Sequence, residues 1–132
     1  MTELDSYTAD RKTCARPTVL VVEDEMLIRM MVSESLRQAG CEVFEASDAD
    51  EAFEVLSASG DPDVLVTDVK MPGAVDGLEL ATRVRKARPG VKVVITSGHA
   101  PARLTDGLAD AFLAKPFALE HLVGQVRALV AA

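Results

Sequence analysis

Thr18-Val19-Leu20-Val21-Val22-Glu23-Asp24 is the stretch on which the fold turns. Its first five residues are apolar or β-branched with no polar break, which suits a strand buried on both faces. Two acids follow it. Asp63-Val64-Leu65-Val66-Thr67 has the same build and also runs into an acid, Asp68. Val93-Val94-Ile95-Thr96 repeats the pattern, and Phe112-Leu113-Ala114 is a shorter version. Residues 41–46 (CEVFEA), beginning at Cys41, read as a further strand.

The segments between these runs have a different period. Ile28, Met31, Val32, Ser35, Leu36 and Ala39 recur at helical spacing, and Gly40 supplies a stop. Asp48-Ala49-Asp50-Glu51 reads as a capping box opening a second helix. Ala49, Ala52, Phe53 and Leu56 face inward there, and Gly60 ends it. A third helix starts near Asp76, turns Leu80, Val84 and Ala87 inward, and stops at Pro89-Gly90. The last helix carries Leu119, Leu122, Val123, Val126, Leu129 and Val130 on one stripe.

Strands alternating with helices imply βαβ units and a parallel sheet covered on both faces. Right-handed crossovers then favour an α/β, doubly wound, five-stranded sheet in the flavodoxin-like order 2-1-3-4-5. Gly98, Pro101 and Gly107 leave room for one short helix at most over residues 98–110. A shortened fourth helix is therefore expected.

At 132 residues the chain is the size of one domain, long enough for a core without disulfides or a structural metal. Trp is absent and aromatics make up 4%, so Leu, Val and Ala must fill that core. A net charge of −7 argues against nucleic acid and against an anionic membrane surface. It fits a protein that meets cations or basic patches. Cys14 and Cys41 lie in no CxxC or Cys/His cluster, so zinc is not expected. Cys41 reads as a buried thiol, and nothing requires a Cys14–Cys41 disulfide. Residues 1–16 show no periodicity and read as a flexible arm ahead of a domain at 17–132. That arm has no apolar h-region, and no run approaches the roughly 20 residues that span a bilayer. A cytoplasmic protein with reduced thiols is expected.

In doubly wound folds, ligands bind beyond the carboxyl ends of the strands. Those ends carry Glu23 and Asp24, then Asp68, then Ser97, then Lys115 followed by Pro116. Three carboxylates on one edge repel one another, and a hard divalent cation such as Mg²⁺ (or Mn²⁺) relieves this. Such a site suits phosphoryl transfer, which needs positioning and charge neutralisation above all. A carboxylate can itself be the nucleophile. Asp68, at the end of the central strand, is the natural acceptor. Lys115 would balance one phosphoryl oxygen and Ser97 would hydrogen-bond another.

The strings TVLVVEDE (18–25), DVLVTDVKMPG (63–73), DGLELA (76–81), ITSGHA (95–100) and FLAKPF (112–117) resemble the receiver domains of two-component systems. Each is weak alone, but their order and spacing are specific, and the resemblance covers nearly all of 17–132. It implies that Asp68 is phosphorylated by a sensor histidine kinase or a histidine phosphotransfer protein. It implies Mg²⁺ held by Asp24, Asp68 and the backbone carbonyl of Lys70, with Glu23 acting directly or through water. It implies contact between Lys115 and the phosphoryl group, a cis-type junction at Pro116, and switch positions at Ser97 and Phe112. Thr96 is the alternative register for the switch hydroxyl. Two departures stand out. Glu23-Asp24 replaces the commoner pair of Asp, and the loop MPGAVDG (71–77) is one residue longer than the usual form.

His99, two residues past Ser97, overhangs the expected site and is either a modulator of dephosphorylation or an inert loop residue, while His121 lies one position off an apolar stripe and reads as exposed. Lys70, beside Asp68, is either a solvated lysine or an influence on phosphate lifetime. The expected function is a stand-alone switch and not an enzyme, a monomer or weak dimer signalling to a protein target. A phosphohydrolase would want an acid two residues after Asp68, where Lys70 stands. A flavin or nucleotide carrier would want a phosphate loop where Glu23-Asp24-Glu25 stands. A phosphate-independent module is disfavoured by the full set of Asp24, Asp68, Ser97 and Lys115.

Overall fold

The computed structural model describes residues 16–98 and 107–131. The expected arm (all but Arg16), Cys14, His99 and most of the connection expected to hold a shortened helix lie outside the described residues. The strands are β1 (Thr18–Val22), β2 (Glu42–Ala46), β3 (Val64–Asp68), β4 (Lys92–Ser97) and β5 (Ala111–Ala114). The described helices are α1 (Met26–Gln38), α2 (Ala49–Ser59), α3 (Gly77–Ala87) and α4 (Leu119–Ala131). The sheet is parallel throughout, in the order β2-β1-β3-β4-β5.

The unbroken apolar strands follow from this layering. Val19 and Val21 enter one buried cluster with Val32 and Leu36 of α1 and Leu122 and Val126 of α4. Leu20 and Val22 enter the other, with Ala52 and Leu56 of α2 and Leu80 and Val84 of α3. A strand whose alternate side chains both meet a core has no position for a polar residue. Each such Val or Leu contributes roughly 1.5–3 kcal/mol by burial.

Helix starts follow the sequence. Asp48 accepts from the Glu51 amide at 2.9 Å and Asp76 from the Glu79 amide at 2.9 Å. The reciprocal half of the capping box is shifted by one residue, because Glu51 accepts from the Ser47 amide at 2.6 Å.

Three details differ from expectation. Met31 is 54% exposed, and Ser33 is buried instead, because the face of α1 toward the sheet is centred on Val32 and Leu36. Ala87 is exposed while Ala81 is buried, since α3 turns Gly77, Leu80, Ala81 and Val84 inward. Cys41 precedes β2 rather than starting it, its amide donating to the Leu36 carbonyl at 3.0 Å to close α1. No helix among the described residues is long and apolar enough to cross a membrane.

Candidate functional site

The parallel sheet delivers its strand ends to one edge. Register sets β1, β3 and β4 side by side there, with Val22 opposite Thr67 and Asp68 opposite Thr96. Asp24, Glu25, Asp68, Lys70, Ser97, Gly98 and Lys115 line a cavity of about 210 Å³ at this edge. Carboxylate oxygens of Glu23, Asp24 and Asp68 lie within 4.8 Å of one another. The expected acids, hydroxyl and lysine are therefore brought together. Of the two candidate hydroxyls, Ser97 lines the cavity; Thr96 is buried at 3% exposure and is not part of the lining. Lys70 is exposed at the rim, and Phe112 is partly buried against the core beneath α2 and α3.

Lys115 is the centre of charge. Its ammonium lies 2.9 Å from Glu23 Oε1 and 3.2 Å from Asp68 Oδ2. Burial on its own would lower this group, but the bond to Glu23 and the charge of Asp68 outweigh it and hold the ammonium above its ordinary range. Burial pushes the Glu23 carboxyl up, and Asp68 adds to the push, against the pull of Lys115 and the Glu25 amide. The Lys115–Pro116 peptide is cis.

Local structure fixes Asp68 from below. The Gly77 amide donates to the Val69 carbonyl at 2.8 Å, drawing the start of α3 onto the end of β3. Gly73 absorbs the longer loop with φ +100°, a conformation that glycine adopts without strain. Glu25, Gly98, Gly77 and Arg29 were not among the site residues expected from the sequence. Glu25 stands in the acidic string itself. Gly77 follows a capping Asp, which marked a helix start but not a close approach.

Residues 19–127 match the model of the response regulator receiver domain. This chain belongs to the response-regulator receiver family. The receiver is 39% identical over 118 residues to the sensor kinase CckA of Brucella abortus, covering 86% of this chain and 12% of that protein. It is 37% identical over 127 residues to the transcriptional regulatory protein PdtaR of Mycobacterium tuberculosis, covering 93% of this chain and 61% of that protein. The receiver thus spans less than two thirds of either relative. Among solved structures, the CheY-like receiver of Methanospirillum hungatei superposes with a TM-score of 0.81 at 25% identity, covering 89% of this chain and 96% of that one. TrrA of Thermotoga maritima, in complex with Mg²⁺-BeF, superposes with a TM-score of 0.77 at 30% identity, covering 86% and 98%.

The donor set fits a hard divalent cation. Three carboxylates converge, and every side-chain donor among them is oxygen.

Proposed function

We propose that this receiver is a phosphoryl-accepting switch, not a turnover enzyme, and that Asp68 takes the phosphoryl group from a histidine kinase or histidine phosphotransfer protein. The observation that carries this reading is the convergence of Asp68, Asp24, Ser97 and Lys115 on one cavity. An Asp68 oxygen attacks phosphorus and the donor's P–N bond breaks. An acyl phosphate forms, and the departing imidazole nitrogen keeps the electron pair and takes a proton from solvent. Lys115 pairs with one phosphoryl oxygen and the Ser97 hydroxyl donates to another. Glu23, Asp24, Asp68 and the Lys70 carbonyl would hold Mg²⁺ or Mn²⁺. A bound divalent cation supplies neutralisation of the charge that develops on the transferring oxygens.

A protein donor suits the surroundings. Met26, Leu27, Met30 and Met31 of α1 are 52–70% exposed, beside an apolar groove lined by Ile28, Val32, Pro116, Phe117 and Leu119 that adjoins Lys115. An adaptable methionine surface next to the acceptor fits a docking helix. Phosphorylation then draws Ser97 toward the new anion, and Phe112 repacks with the surface around it, which signals to a protein target in the cytoplasm.

The test is intact mass after incubation with acetyl phosphate, with and without Mg²⁺, on wild type and Asp68→Asn. One phosphoryl group should be gained, only with Mg²⁺ and only in wild type. An adduct that persists in Asp68→Asn would overturn the assignment.

A further inference from the structure

We propose that Arg29 is a positioning residue that sets the main chain at Glu23, so that Glu23 and Asp24 are presented to a divalent cation before it arrives. The proposal rests on the reading of the acid cluster as a cation site.

Arg29 lies in the first turn of α1, and its side chain is 17% exposed. One terminal nitrogen donates to the Glu23 carbonyl at 2.8 Å, while Nε donates to Glu45 Oε1 at 3.2 Å. The other Glu45 oxygen accepts from Arg37 at 3.1 Å, and Arg37 also donates to the Val43 carbonyl at 3.1 Å. The Glu23 amide donates to the Ala46 carbonyl at 3.0 Å. The Glu23 residue is thus held through its amide by β2 and through its carbonyl by a guanidinium that β2 orients. Its side chain faces Lys115 and Asp68, with one carboxylate oxygen also accepting from the Glu25 amide at 3.2 Å. Lys115 offsets part of the repulsion among the three acids, and the Arg29 anchor holds the β1–α1 turn against the remainder. A planar guanidinium meets both acceptors at once, which a single ammonium cannot do in the same geometry.

The sign of the effect separates positioning from simple electrostatics. By Coulomb's law alone, removing a positive charge near a cation site strengthens cation binding. If Arg29 positions the acids, its removal weakens binding instead.

The experiment measures Mn²⁺ affinity by electron paramagnetic resonance on the full chain, for wild type, Arg29→Gln, Arg29→Lys and Arg37→Gln. Amide hydrogen exchange at residues 24–26 of the metal-free proteins is the second readout. Arg29→Gln should weaken Mn²⁺ by about tenfold, the effect typical of residues that orient ligands, and should speed exchange at those amides. Arg37→Gln, which touches Glu45 but not the turn, should stay within twofold. Arg29→Lys keeps the charge and should still lose affinity; it carries the test where Arg29→Gln does not fold. Affinity equal to or tighter than wild type in the Arg29 variants, with unchanged exchange, overturns the proposal alone. A wild type that binds no Mn²⁺ overturns the cation reading and the proposal with it.

Discussion

Gly77 stands against the main chain of Asp68 so closely that a β-carbon on it would lie 1.7 Å from the Asp68 carbonyl oxygen. The atom it would strike is backbone and cannot swing aside. Gly77→Ala should therefore separate the start of α3 from the end of β3, destabilise the protein by about 1–3 kcal/mol, as overpacking does, and impair phosphorylation of Asp68. Gly124→Ala is the contrast. Nothing lies within 4 Å of its new methyl, and it sits inside α4. It should stabilise by roughly 0.5–1 kcal/mol through helix propensity. Thermal melts and acetyl phosphate labelling of both variants check the pair; a Gly77→Ala protein with wild-type labelling would show that the close approach is dispensable.

Lys115 bridges two buried carboxylates, and Lys115→Met should leave them facing each other without a counter-charge. Breaking a fully buried pair costs about 3–5 kcal/mol. With the Lys115 side chain 19% exposed, a loss of about 2 kcal/mol in the absence of metal is expected. Mg²⁺ should raise the melting temperature of the variant more than that of wild type, since it meets carboxylates with no ammonium between them. Equal Mg²⁺ shifts would sink this account.

Ser97 and Thr96 are both buried at 3% exposure, but Ser97 alone of the two lines the cavity. Ser97→Ala should slow acetyl phosphate labelling by about tenfold or more, since a hydrogen bond to a charged group is worth about 1.5–3 kcal/mol. Thr96→Val should change stability and leave the labelling rate near wild type. The reverse ranking would move the switch hydroxyl to Thr96.

Cys41 is 3% exposed, and burial pushes its thiol above the ordinary 9.0. The folded protein keeps that proton to higher pH than the unfolded chain. The thiol therefore adds no pH dependence well below 9.0, and stability falls as pH rises from 9.0 toward the folded value. Cys41→Ala should flatten that decline in denaturant titrations. In a Cys14→Ser background, Cys41 should react with a disulfide reagent only at the rate of opening; fast, stoichiometric reaction of the native state would contradict its burial.

The sheet order and the site edge were legible because β1 and β3 are apolar at consecutive positions and each runs directly into an acid. That combination reports double burial and a functional terminus at once. Met31 and Ala87 were misplaced because helical spacing locates a stripe but not its width. In α1 the covered arc takes in Ser33, a polar residue that no hydrophobic pattern flags. Arg29 was invisible for a different reason. Its partners are a main-chain carbonyl and a strand residue 16 positions away, and neither leaves a mark in local sequence. Gly77 carried half a signal, since Asp76-Gly77 announces a helix start, but the distance to Asp68 belongs to tertiary structure alone.

The ammonium of Lys115 makes the resting site a place already taken. Glu23 and Asp68 have a cationic neighbour from the moment the chain folds, so a metal ion would arrive as a competitor rather than as the filler of a void. Robustness of the metal-free protein and responsiveness to metal then draw on the same two carboxylates. A substitution that tightens the grip of Lys115 would gain the first at the expense of the second.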